Sequence, residues 1–174
     1  MPRMTAIVVL SHGSLSKGLV EAACMIAGKS SKLEYVCLEE GEGPESFRRK
    51  VDAVLNTFSE DDVLFLVDLF GGTPSNIASM LFLERAQADT GGQTSECTKP
   101  PVEQGSQGEV AALASGRRRS FALVTGVNLG MLLEAINNRA NMRPDELASH
   151  LVEVAPATIV DLGRVLLEGV RKPS

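Results

Sequence analysis

The chain has 174 residues, 44% of them hydrophobic and 22% charged, which makes room for one ordinary soluble domain around one core. No stretch approaches the roughly 18 consecutive apolar residues of a membrane span, and a net charge of −5 disfavours nonspecific attraction to nucleic acid. Small metabolites and proteins are the expected partners.

Residues 5–10, "TAIVVL", form a β-branched apolar run suited to a strand covered on both faces. The run ends in Ser-His-Gly with no small-residue cleavage site, so it reads as a first strand and not as a secretion signal. Leu15, Leu19, Ala22, Ala23 and Ile26 then recur at helical spacing, with Ser14 or Ser16 to cap the start and Gly28 to end it. "LEYVCL" at 33–38 is the second strand. After the turn "GEGP", Phe47, Val51, Val54, Leu55 and Phe58 mark one face of a second helix, with Pro44 in its first turn.

"DVLFLVDLFGGTPSN" repeats the grammar of the opening: apolar strand, polar residue at its end, glycines, helix start. Thr73 is expected as the N-cap and Pro74 as the first helical residue, with Ile77, Leu81 and Glu84 carrying the helix onward. Residues 87–118 are rich in Gly, Ser, Gln, Thr and Pro, with only "VAALA" to bury, and read as a mobile insertion. Arg117, Arg118 and Arg119 at its end read as a solvated flank, with contact to an acidic partner as the alternative. "SFALVTGVNLGMLLEAINNRA" supplies a fourth strand and helix, with Asn128 as cap. From Pro144 two helical stretches, 147–154 and 159–170, are interrupted at Pro156.

Cys24, Cys37 and Cys97 form neither a C-x-x-C pair nor a zinc box, and a reducing, cytoplasmic setting is expected. Cys24 and Cys37 lie in apolar patterns and are expected to be inert core residues.

Strands alternating with helices predict an α/β fold: a doubly wound, mainly parallel sheet of order 2-1-3-4 with helices on both faces. In that order strands one and three are neighbours whose chains leave toward opposite faces, opening a crevice at their carboxyl ends. His12 and Asp68 are placed at that crevice. An unperturbed imidazole titrates near about pH 6.5 and is largely neutral at pH 7, so one nitrogen is a ready nucleophile. A carboxylate holds the other nitrogen's proton and offsets the charge that develops on the ring. Gly13, Gly71 and Gly72 allow close backbone approach, and amides near Thr73 point toward an incoming anion. Together they describe a phosphate pocket with a histidine at its base.

Other motifs fail. Gly13 and Gly18 have the spacing of a nucleotide P-loop, but Leu19 and Val20 stand where lysine and a hydroxyl residue are required. No G-x-S-x-G elbow occurs. With only two histidines no histidine-based metal cluster is expected, and His150 reads as structural or solvent-facing.

The segments "IVVLSHGSLSKGLVEAACMIAG", "VLFLVDLFGGTPSNIA" and "FALVTGVNLGMLLEAI" together resemble the mannose/fructose/sorbose-family enzyme IIA domain of the bacterial phosphoenolpyruvate-dependent sugar phosphotransferase system (PTS). The likeness covers most of the chain outside 87–118, so residues 1–174 are taken as a single IIA-type domain with that insertion. It implies that His12 accepts a phosphoryl group from the carrier protein HPr and passes it to a histidine of a IIB component. Asp68 matches the carboxylate paired with that histidine, and Thr73 falls in the phosphate-side loop. It also implies a homodimer, one antiparallel edge strand, for which "GVRK" at 169–172 is the candidate, and neither metal nor bound nucleotide. Gly130 stands where the family commonly has proline, which is expected to loosen the fourth helix start by up to about 1 kcal/mol. Leu69 and Phe70 are expected in core or dimer packing, with a docking contact as the alternative. Two other functions remain open: a phosphorelay subunit serving dihydroxyacetone kinase or a regulatory process, and a non-catalytic module that binds a phosphorylated metabolite.

Overall fold

A computed structural model of the chain describes residues 4–89 and 119–170. The segment 87–118 lies outside them except at 87–89, which are helical, and Cys97 also falls outside. Four strands, β1 (Ala6–His12), β2 (Leu33–Leu38), β3 (Val63–Val67) and β4 (Phe121–Thr125), form one all-parallel sheet of order β2-β1-β3-β4. The helices are α1 (Leu15–Ala27), α2 (Pro44–Thr57), α3 (Thr73–Asp89), α4 (Leu129–Asn138), α5 (Pro144–Val154) and α6 (Leu162–Val170), with a 3-10 turn at Ala155–Thr158 between the last two.

Alternation along each strand divides the core in two. Ile7, Val9, Leu64 and Leu66 face α1, α4 and α5 through Val20, Ala23, Leu132 and Leu147. Val8, Leu10, Phe65 and Val67 face α2 and α3 through Phe47, Val51, Ile77 and Leu81. β1 and β3 are buried on both faces, which explains their unbroken apolar runs. The doubly wound parallel fold is therefore as the sequence predicts.

Several local expectations need correction. α1 buries Ser16, Val20 and Ala23 and leaves Leu15 and Ile26 exposed, so its inner face is turned one position from the apolar pattern. Ser14 occupies the N-cap position without a side-chain hydrogen bond; the buried Ser11 Oγ instead accepts from Ser16 N at 2.6 Å. Ser16 can be buried because its hydroxyl donates to Val36 O at 3.1 Å. Thr73 is already helical, and the first helical hydrogen bond runs from Asn76 N to Gly72 O at 2.9 Å. Asn128 caps α4 as expected, its Oδ1 accepting from Met131 N at 3.0 Å, and Pro44 opens α2.

The sheet has no antiparallel strand among the described residues. Gly169 and Val170 of "GVRK" close α6, while 171–172 lie outside the described residues. Leu162, Val165 and Leu166 follow helical, not alternating, spacing. Arg119 is not a solvated flank: Nε donates to Asp61 O at 2.8 Å and the guanidinium lies 4.9 Å over the Phe121 ring. Gly130 is more than a missing proline, because a Cβ there would stand 2.6 Å from Thr158 Cγ2. The 3-10 turn thus packs directly on the α4 backbone.

Candidate active site at the β1 and β3 ends

β1 and β3 pair in register from Ala6 and Val63 to Leu10 and Val67, so Asp68 emerges beside the last residues of β1. After β1 the chain turns toward α1 on one face of the sheet; after β3 it turns toward α3 on the other. The crevice between these departures holds His12 and Asp68. His12 shares strand parity with Val8 and Leu10, which directs its side chain to the face where α3 begins. Ser11, of opposite parity, turns toward α1 and caps it.

The Asp68 carboxylate ties the two strand ends together. Its Oδ2 accepts from His12 N at 2.9 Å and lies 2.8 Å from His12 Nδ1, while Oδ1 accepts from Leu69 N at 2.8 Å. An ionised carboxylate only accepts, so Nδ1 is the donor to Oδ2, and when the ring carries a single proton Nε2 is its unprotonated nitrogen. The imidazole is 46% exposed, whereas the Asp68 side chain is 11% exposed. The ring is half exposed and is held at Nδ1.

A Cβ on Gly72 would lie 2.5 Å from His12 Cε1 and 3.0 Å from Nε2, so the ring rests against the Gly72 backbone. No side chain larger than hydrogen fits there without moving the imidazole. Among the described residues the amides of Gly72 and Thr73 have no hydrogen-bond partner, and they stand at the start of the 17-residue α3, where the helix dipole favours an anion. Gly71 N has a long contact of 3.4 Å to the buried Ser75 Oγ. Gly13 N donates to Leu38 O at 2.9 Å, so Gly13 enters the site through its turn, at φ +52°, and not as a free donor.

The sequence-predicted residues His12, Asp68, Gly71, Gly72 and Thr73 thus converge, and Gly13 lies next to them in the β1 exit turn. Among the described residues no group of three or more His, Cys, Asp or Glu is arranged to hold a metal ion. A family model described as the PTS system fructose IIA component matches residues 6–95, a span containing both strand ends and the α3 start.

The chain belongs to this mannose-type PTS IIA family.

Over 149 residues it is 28% identical to the PTS system fructose-specific EIIA component of Bacillus subtilis, covering 85% of this chain and 80% of the relative. It is 26% identical to the PTS system sorbose-specific EIIA component of Lacticaseibacillus casei, covering 85% and 83%. In fold it is similar to the PTS component EIIA from Streptococcus agalactiae, with a TM-score of 0.68 at 22% identity over 92% of this chain and 99% of that one. The mannose/sorbose specific IIA subunit from Enterococcus faecalis gives a TM-score of 0.65 at 23% identity over 91% and 94%. The chain is therefore a IIA component of the sugar phosphotransferase system.

Within this IIA component sequence reasoning missed two features around the site, the Ser11 cap and the exposure of Leu69 and Phe70, whereas His150 is structural as expected. Ser11 was hidden as the last inward polar residue of an apolar strand; its parity opposite to His12 is the signal that finds it. Leu69 and Phe70 are 61% and 82% exposed, so neither belongs to the core of its own chain. His150 lies away from the crevice and bridges α5 to α4, its Nε2 2.8 Å from Glu134 Oε1. Cys24 and Cys37 are both half-buried, Cys37 Sγ lying 3.3 Å from Ser16 Oγ. No helix among the described residues is long and apolar enough to cross a membrane.

Proposed function

We propose that this IIA component carries a phosphoryl group on His12 Nε2, taken from phospho-HPr and delivered to a histidine of a IIB component. The observation that carries the reading is the Asp68 Oδ2 contact to Nδ1 at 2.8 Å, which leaves Nε2 as the open nitrogen of a half-exposed ring. In the first transfer the bond from phosphorus to the donor imidazole breaks as a bond from phosphorus to Nε2 forms. The His12 ring then becomes cationic, and Asp68 offsets that charge through the proton on Nδ1. Onward transfer reverses these changes toward the acceptor.

Most of the catalysis on this reading is alignment and charge neutralisation. The Gly72 backbone seats the ring, and the free amides of Gly72 and Thr73 receive phosphoryl oxygens. Gly71 and Gly13 shape the approach. Exposed Leu69 and Phe70, directly after Asp68, supply an apolar contact for a docking partner. No metal or nucleotide takes part, and both partners meet one domain in the cytoplasm.

The test mixes the chain with phosphoenolpyruvate, enzyme I and HPr and measures acid-labile phosphate. Wild type should label and His12→Ala should not; equal labelling of both removes His12 from the mechanism. Asp68→Asn should slow labelling with little loss of folded protein. Tight binding of a phosphorylated metabolite without covalent phosphate would support the non-catalytic alternative instead. A chase with IIB, compared with a dihydroxyacetone kinase acceptor, distinguishes sugar uptake from the other relay.

A further inference from the structure

Asn76, in the first turn of α3, holds two successive carbonyls of the glycine loop that precedes it. Its side-chain Nδ2 donates to Gly71 O at 3.4 Å, and its main-chain N donates to Gly72 O at 2.9 Å. The N–H of Gly71 is engaged as well, through the 3.4 Å contact to Oγ of the buried Ser75. Both main-chain groups of Gly71 are thus turned back onto the start of α3.

These tethers decide where two amides point. In a trans peptide unit the carbonyl and the following N–H lie in one plane and point in opposite directions. With Gly71 O and Gly72 O both drawn toward Asn76, the N–H groups of Gly72 and Thr73 aim away from the body of α3, toward the crevice where the His12 ring rests against Gly72. Pro74, next in the turn, has no N–H to add.

The two peptide units are held by different means. The one between Gly72 and Thr73 is fixed by a main-chain hydrogen bond of the helix, which any residue but proline at position 76 would supply. The one between Gly71 and Gly72 has glycine on both sides, and Gly71 stands at φ +83°, so no Cβ opposes a flip of that plane. What restrains it is the Asn76 side-chain amide. Asparagine is otherwise a poor helix former, and here its side chain is turned to the loop.

We infer that Asn76 is a positioning residue, whose side-chain amide holds the Gly71–Gly72 peptide so that the Gly72 N–H faces an anion beside His12 Nε2. The inference deepens the phosphoryl-carrier reading and rests on it for the identity of that anion, a phosphoryl group. A donor aimed in advance at the charge needs no reorganisation when the group arrives, whereas an untethered one must first find its orientation.

Asn76→Ala tests the tether. The side chain is exposed and alanine favours helix, so the variant should keep its circular dichroism and its urea midpoint. Transfer from phospho-HPr should slow by about 10-fold or more, in kcat, with KM for phospho-HPr unchanged. The deciding readout is the pair of amide proton shifts of Gly72 and Thr73 as inorganic phosphate is added to the unmodified chain. In wild type both should move; in N76A the Gly72 response should collapse while that of Thr73, oriented through the main chain, stays. A Gly72 amide silent to phosphate in wild type, a Gly72 response equal in N76A and wild type, or an unchanged kcat overturns the inference. If wild type takes no phosphoryl group from phospho-HPr yet the two amides show the expected pattern, the carrier reading fails and the positioning role of Asn76 stands.

Discussion

Gly72→Ala isolates the seat of the imidazole from its chemistry. The added Cβ would stand 2.5 Å from His12 Cε1, and ordinary contact begins at 3.4 Å, so the ring must retreat by about 0.9 Å. The ring is pinned on its other edge by the 2.8 Å contact to Asp68 Oδ2. Retreat therefore either compresses or breaks that contact, and in both cases swings Nε2 off the line of attack. A misplacement of about 1 Å costs on the order of 100-fold in rate, or about 2.7 kcal/mol of transition-state stabilisation. The fold itself should lose only about 1 kcal/mol, as expected for alanine in place of glycine at an N-cap. Rapid-quench measurement of phosphoryl transfer from phospho-HPr reads the rate, and the 15N shift of Nδ1 reads the ring's hydrogen bond. Wild-type transfer with the Asp68 contact intact would refute the claim that the Gly72 backbone positions the nucleophile.

Gly130→Ala should displace Thr158, whose Cγ2 and Cβ would lie 2.6 and 2.7 Å from the new methyl, and lower stability by about 1–3 kcal/mol; urea titration should find much of that loss recovered in G130A/T158G. Ser11→Ala leaves the Ser16 amide without its 2.6 Å acceptor at a buried helix start, and should cost about 1–2 kcal/mol in the same titration; an unchanged midpoint would deny Ser11 its capping role. The Lys50 ammonium, joined by the Glu39 amide and Ser46 Oγ, holds the Glu42 carboxyl down at about 2. Its contribution to stability is therefore present above the ordinary glutamate value and is lost as pH falls from about 4.3 toward 2. Lys50→Met should flatten that acid limb, and unfolding curves for variant and wild type that stay parallel from pH 5 to about 2 would remove the linkage.

The strand order and the meeting of His12 with Asp68 were legible because unbroken apolar runs, each ended by one polar residue and a glycine turn, leave few parallel topologies open. What escaped reading depends on tertiary partners. Ser16 is buried against the rule for its type because the Val36 carbonyl and the Ser11 hydroxyl satisfy it, and this turns the whole inner face of α1 by one position. Arg119 reads as a solvated charge until the Asp61 carbonyl and the Phe121 ring are known to lie beside it; burial then lowers its pKa. Arg139 is similar: it is buried, and its guanidinium donates to Lys32 O, Ser30 Oγ and Ser31 O at the entrance to β2. No spacing rule connects residues more than a hundred positions apart. Gly130 belongs to the same class, since only the arrival of Thr158 explains why a side chain is excluded there.

One carboxylate oxygen, Asp68 Oδ2, grips both the main chain and the ring of His12. The imidazole therefore cannot swing like an arm between two stations, and its visitors must come to it. On the proposed reading, giver and receiver compete for the same doorway, so no ternary complex forms and turnover is ping-pong. An excess of unloaded receiver then throttles loading, which couples the flow of phosphate to the ratio of the two visitors and not to either alone.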